Sequence, residues 1–375
     1  MASQHCSGPC GKATPTACGC CVKGGADVDF VVDGETSLCI AAHHGHVGCV
    51  RALCELGANI RHLNRRDLTP LRIAALTGHA DCVRALYEAG ADINPDTSHA
   101  STSDSTYRTK GPLHIVAHYG HTDCVRVLCE VGAVVNCVDE LGTTPLRMAA
   151  QAGHVDCVRA LCESGADINQ PCLRGGTPLH YAAQEGRTDC VRALCELGAD
   201  VHGAAEEGST PLHLAGIRGH TTCVQLISSY GGRGHQQVDH RTEADCVERQ
   251  GHTDLAAWLR ASNDWTPLHH LEWLTPERAR VLLREGADLL VGTPSALERA
   301  RQVDGDASAL VRLAGGGWSP ASHSLFPARA RAHALAVARL GYALAWQRFP
   351  TEARSLIDPW TSIVLHHAIQ RDDAA

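Results

Sequence analysis

Aromatic side chains are scarce in this 375-residue chain, at 4%. Any core must therefore be built from small groups: Ala, Leu, Val and Cys. Long apolar runs are missing too. No stretch of 18 or more apolar residues exists, so no membrane span is expected. The first 20 residues lack the basic start and apolar stretch of a secretion signal, which points to the cytosol or nucleus. Basic charge is not in excess. With 33 Lys and Arg against 41 Asp and Glu, the formal net charge is −8, which argues against nucleic-acid binding through bulk charge. No HExxH, GxSxG, Walker or GxGxxG element stands in suitable surroundings, and GGRG at 231–234 reads as a loop. Without a nucleophile–base pair or a metal set, neither an enzyme nor a cofactor is expected.

Cysteine is abundant instead, at 19 residues. In a long chain without an export signal, the expected state is free thiol, packed as a small apolar group. Many of these cysteines sit in near-copies of one segment. TDCVRALCELGAD (188–200) is echoed at 79–92, 121–133 and 154–167. The glycine of a recurring Gly-His pair gives the period: Gly45, Gly78, Gly120, Gly153, Gly186, Gly219 and Gly251 are spaced by 33, 42, 33, 33, 33 and 32. The long interval holds DTSHASTSDSTYRTK (96–110), a polar insertion that reads as an extended loop.

One unit, GGTPLHYAAQEGRTDCVRALCELGAD (175–200), can be read residue by residue. Thr177 is a good N-cap and Pro178 suits the first helical position. Leu179, Ala182 and Ala183 then face inward until Gly186 ends a helix of about two turns. A second helix starts near Thr188 and Asp189 and carries Cys190, Val191, Leu194 and Cys195 as one buried stripe. Gly198 closes it. Two short helices and a turn cannot bury their own apolar face, so units must stack.

The period of 33 with T-P-L-H and G-A-D resembles the ankyrin repeat. Thr177–His180, Thr210–His213 (with Pro211 and Leu212) and Thr266–His269 (with Pro267 and Leu268) carry the signature intact. Arg72, Arg147 and Cys39 stand where the histidine would be. The resemblance covers roughly residues 25–290 and implies an all-α solenoid of about seven helix-turn-helix units with short β-turn tips. In that family the Thr hydroxyl and the His ring bond locally and brace neighbouring repeats.

The implied organisation has four parts. Residues 1–24 are a disordered Cys-rich leader, and 25–227 hold six repeats with the insertion at 96–110. Residues 228–303 carry an irregular loop, a degenerate half repeat at 248–261 and a seventh, capping repeat; 304–375 form a helical C-terminal cap. W-S-P-x-x-H-x-x-F-P at 318–327 resembles tails that follow ankyrin stacks in some protists. In related tails an F-box-like helix opens with Leu-Pro-x-Glu, faintly echoed by Phe349-Pro350-Thr351-Glu352.

The cysteines of the repeat do not suit metal. Zinc needs ligands within about 2.3 Å of one point, whereas residues five apart on a helix diverge by roughly 140°. Equivalent positions in neighbouring repeats lie ~10 Å apart, too far for a disulfide. Cys49, Cys82, Cys124, Cys157, Cys190 and Cys223, with Cys54, Cys129, Cys162 and Cys195, are thus expected to pack. In the leader, His5 with Cys6, Cys10, Cys18, Cys20 and Cys21 lacks paired CxxC knuckles, and no metal site is expected. His46, His79, His121, His154, His220 and His252 read as capping groups, as do His114, His180, His213 and His269.

The resemblance also implies where partners bind: the turn tips and the exposed ends of the first helices. The first-helix candidates are His43, His44, Leu76, Thr77, His118, Tyr119, Gln151, Ala152, Gln184, Glu185, Ile217 and Arg218. Tip candidates are Arg65, Arg66, Glu140, Leu141, Leu173, Arg174, Glu206 and Glu207. Asn94, Asn136 and Asn169 match the family's context for asparagine hydroxylation. The expected function is a non-catalytic scaffold or adaptor for an unknown partner protein, with no nucleic acid and no membrane. The alternative is a substrate-recognition subunit of a ubiquitin ligase, docked through 316–375.

Overall fold

Thr-Pro pairs decide where the helices begin. In a computed structural model, which describes residues 27–94, 110–232, 243–316, 322–326 and 328–329, Thr69, Thr144, Thr177, Thr210, Thr266 and Thr275 stand at N-caps with the following Pro in the first turn. The leader at 1–24 with its cysteines lies outside the described residues, as do the insertion apart from Lys110 and the tail helices expected beyond 329. By contacts the chain divides into two units, one reaching Val224 and including Glu243, the other holding residues 225–232 and those from Ala244 onward.

The first unit opens with a two-stranded hairpin, β1 (Val31–Val32) and β2 (Glu35–Thr36), followed by paired helices. The pairs are α1 (Ser37–His43) with α2 (Val47–Glu55), α3 (Pro70–Thr77) with α4 (Ala80–Glu88), and α5 (Pro112–Tyr119) with α6 (Thr122–Glu130). Next come α7 (Pro145–Ala152) with α8 (Val155–Glu163), α9 (Pro178–Gln184) with α10 (Thr188–Glu196), and α11 (Pro211–Ile217) leading into α12 (Thr221–Ser229), within which the unit ends. First helices pack on first helices and second on second, so α1, α3, α5, α7, α9 and α11 form one layer and α2 to α10 another.

The caps follow side-chain reach. Thr69 Oγ1 accepts the N–H of Arg72, Thr144 that of Arg147 (3.1 Å) and Thr210 that of His213 (3.2 Å). His180 Nδ1 accepts the backbone N–H of Thr177 at 3.1 Å, closing a capping box. The Gly-His histidines behave differently from the capping role expected of them. His79, His121 and His154 stand at N-caps, yet none of their rings bonds its own helix. A Thr oxygen sits one bond from Cβ and can close a cap; imidazole Nε2 lies too far out. It reaches the preceding repeat instead: His79 to the carbonyl of His43 (3.1 Å), His121 to Leu76 (3.0 Å), His154 to His118 (3.1 Å) and His220 to Gln184 (3.1 Å). Arg187, in the same position, donates from Nε to Gln151 (3.1 Å).

Glycine is required under each ring. Gly45, Gly78, Gly120 and Gly186 have φ of 72°, 81°, 78° and 66°, and a Cβ there would lie 2.4–2.6 Å from Nδ1 of the next repeat's histidine. A second brace runs through the signature position. His114 reaches the carbonyl of Thr143 (2.8 Å) and His180 that of Ser209 (3.1 Å). Arg72 does the same work with a guanidinium, donating to the carbonyl of Lys110. Arg147 instead donates to Thr143 Oγ1 and stacks on the Tyr181 ring, 3.7 Å from its centroid.

The core matches the small-residue composition. Cys49, Cys82, Cys124, Cys157, Cys190 and Cys223 are all buried beside Val50, Val83, Val125, Val158, Val191 and Val224. Burial pushes the Cys82 thiol up to about 11 and those of Cys124 and Cys190 to about 12. All described cysteines are free thiols.

The second unit departs from the expected pattern in three places. The half repeat at 248–261 is a complete pair, α13 (Glu243–Arg249) and α14 (Thr253–Ala261). α13 has no Thr-Pro start to reveal it, but Ala244 and Val247 are buried three residues apart. The seventh repeat keeps the Thr266–His269 capping box, yet its first helix is a single 3-10 turn at Pro267–His269. A second Thr-Pro cap starts α15 (Pro276–Arg284) only nine residues on, and the residue before a proline resists helix. The expected boundary at 303/304 falls between α16 (Ala296–Gln302) and α17 (Asp306–Gly315), which pack on each other. Ala307, Val311 and Ala314, four and three apart, are the stripe that marks α17. No described helix is long and apolar enough to cross a membrane.

Two measurements test this bracing. Gly120→Ala forces a left-handed alanine and displaces the His154 ring, a cost of roughly 2–3 kcal/mol. Gly132→Ala, at φ 94° with open space around it, costs only the backbone strain. Urea titrations giving equal costs would remove the interlock. Burial also holds the His114 and His180 imidazoles below the usual histidine range. The unfolded chain takes those protons first, near pH 6.5, so stability is full above that pH and declines as pH falls toward the folded values. The urea midpoint should drop between about pH 7 and 5, and less so in His180→Gln.

Candidate functional site

Side chains at the first-helix ends are the ones the stack leaves over. His43, His44, His118, Tyr119, Glu185 and Arg218 are exposed, while Leu76, Thr77, Gln151, Ala152, Gln184 and Ile217 are half-buried. Their backbones are in use, since the carbonyls of His43, Leu76, His118, Gln151 and Gln184 accept the inter-repeat bonds. Thr77 also spends its hydroxyl on the Ile73 carbonyl, 2.9 Å away.

Each tip is a tight turn closed by a pair of backbone bonds, of which the outer runs from Asn64 to Leu68 (3.1 Å), Asp139 to Thr143 (3.1 Å), Cys172 to Gly176 (3.0 Å) and Ala205 to Ser209 (2.9 Å). Tips are then laddered, because the N–H of Leu173 donates to Leu141 (3.2 Å) and that of Glu206 to Arg174 (3.0 Å). The ladder sets Leu141 and Leu173 side by side, 69% and 71% exposed, flanked by exposed Glu140, Arg174 and Glu206. The Glu207 side chain lies outside the described residues. Arg65 is exposed and pairs with Asp33 at 3.2 Å; Arg66 is exposed beside it.

Asn94, Asn136 and Asn169 are exposed and tie each repeat to the next. Their Oδ1 atoms accept the N–H of Val134 (2.8 Å), Asp167 (2.8 Å) and Asp200 (2.9 Å).

One cluster was not legible in the sequence. Cys172 fills the tip position where Asn64 and Asp139 accept two backbone N–H groups each. Its Sγ lies 3.2 Å from the Tyr181 hydroxyl, and Arg147 stacks on that ring. The only sequence signal was an Arg in place of the signature histidine one repeat before a Tyr. Burial raises the Cys172 thiol, but Tyr181, the N–H groups of Arg174 and Gly176, and the Arg147 charge outweigh it and bring it below the ordinary range. Among the described residues no three His, Cys, Asp or Glu side chains converge as a metal set.

The thiols should therefore separate on alkylation. With iodoacetamide near pH 8, Cys172 is expected to label ahead of Cys82, Cys124 and Cys190, and Tyr181→Phe to slow it. Peptide mass spectrometry showing uniform labelling would contradict the assignment.

Known proteins resemble this chain over much of its length. The model of the family described as ankyrin repeats matches three times, at residues 14–97, 98–172 and 169–241. Among solved structures, the human ASB11 ankyrin repeat domain is similar at 29% identity with a TM-score of 0.48, covering 56% of this chain and 91% of that one. No curated protein sequence matches. The three matches together take in more than half of the chain, and the chain belongs to the ankyrin repeat family, whose repeats indicate protein–protein interaction.

Proposed function

We propose that the protein is a non-catalytic scaffold or adaptor that holds a partner protein against its first-helix ends and turn tips. The observation that carries this reading is the pair Leu141 and Leu173. A solvated tip has no internal reason to present two adjacent leucines, and the backbone ladder holds them in fixed register. Beside them the exposed Glu140, Arg174 and Glu206 supply charged groups, an apolar centre with a polar rim. Rigid tips also reduce the ordering cost of association. A reducing compartment, cytosol or nucleus, suits the free thiols. We infer as well that Asn94, Asn136 and Asn169 can take up one oxygen each from an asparagine hydroxylase, since all three are exposed.

The test is affinity purification from the source cell with the native chain and with Leu141→Ser/Leu173→Ser. The double variant is expected to lose its bound protein, with binding weakened at least tenfold, about 1.4 kcal/mol, and an unchanged thermal melt. Recovery of the same partner at the same yield would move the binding surface elsewhere.

A further inference from the structure

The three amino-terminal repeats carry a row of imidazoles that the stack only partly uses. His43 and His44 are exposed at the end of α1, with ring centroids 5.0 Å apart, and His44 stacks on His46 at 6.0 Å. His118 and Tyr119 are exposed at the end of α5, and Tyr119 stacks on His121 at 6.3 Å. The bonds from His79 to His43, from His121 to Leu76 and from His154 to His118 make these positions one continuous row.

His46 adds an independent observation. In later repeats the equivalent Nε2 is bonded to the preceding repeat's carbonyl. The Nε2 of His46 is buried and has no partner among the described residues. A buried polar nitrogen left without a partner costs roughly 1–3 kcal/mol, and an oxygen acceptor supplied from outside would remove that cost.

We infer that this imidazole row docks an acidic segment of a partner protein, with carboxylate oxygens as acceptors, and that its hold strengthens as the row takes up protons. The inference rests on the first-helix ends being a binding surface. The groups facing His118 are Lys110 and His154, both basic; its own burial comes first, and together they hold it below the usual histidine range. Around His43 and His44 stand His46 and His79. The carboxylates on the adjoining elements are Asp81, Asp123 and Asp156, at the starts of α4, α6 and α8, of which Asp123 is drawn to Arg126 at 3.9 Å. Exposed imidazoles as a class gain charge between about pH 8 and 5, a range in which aspartate and glutamate in a partner stay ionised.

The test uses the full chain and a fluorescent oligoglutamate peptide, followed by anisotropy at about pH 7.5 and 5.5. Affinity is expected to rise about tenfold or more at the lower pH, and the rise to vanish in His43→Gln/His44→Gln/His118→Gln. A second variant needs no acid: His43→Arg/His44→Arg/His118→Arg should bind at pH 7.5 as tightly as the native chain does at 5.5. Equal native affinity at both values, a rise that survives the Gln variant, or an Arg variant no tighter than native would each overturn the proposal. So would capture of a DNA oligonucleotide but not of oligoglutamate. Failure of the underlying surface reading shows separately, at neutral pH, as a native chain that recovers no protein partner in affinity purification.

Discussion

The first unit depends on one repeated contact: an imidazole laid over a glycine. At Gly78–His121 and Gly120–His154 a single geometry does two things. The positive φ ends the first helix, and the missing side chain leaves room for the ring that reaches back to the previous repeat. Because the ring belongs to repeat n+1 and the carbonyl to repeat n, no repeat can complete itself. Stability is then carried by interfaces between neighbours. The exception at Gly153 shows the limits of the device, since the Arg187 side chain takes the ring's place and still delivers an N–H to Gln151.

Around that contact the cysteines act as sized packing groups. A thiol at Cys124 or Cys190 fills about the space of a small aliphatic group and, raised to about 12, stays protonated. Cys172 is the same atom in another setting, where a hydroxyl, two backbone N–H groups and a guanidinium favour the thiolate. Residue type alone does not fix the chemistry of a thiol; what surrounds it does.

The same division of labour separates structure from recognition. Ring nitrogens and backbone groups hold the stack, and the side chains left over face out: leucines and mixed charges at the tips of repeats four to six, imidazoles at the helix ends of repeats one to three. Laddered tips keep Leu141 and Leu173 in register without any partner present, so their spacing is a fixed property of the surface.

By itself the sequence determined the period, the helix pairs and the buried stripe, because Thr-Pro starts, glycine stops and i, i+4 apolar spacing are local rules. It therefore placed α9 and α10 residue by residue, and the candidate surface positions at the helix ends. It missed the start of α13, which lacks the Thr-Pro pair and shows only a short apolar stripe. Tertiary structure alone decided the rest. Whether His121 caps its own helix or reaches back to Leu76, and whether Arg72 can replace a histidine, depend on atoms of the neighbouring repeat, and whether the Cys172 thiol is raised or lowered depends on how its turn meets Tyr181 and Arg147. Local patterns carry no record of that neighbour until the repeats stack.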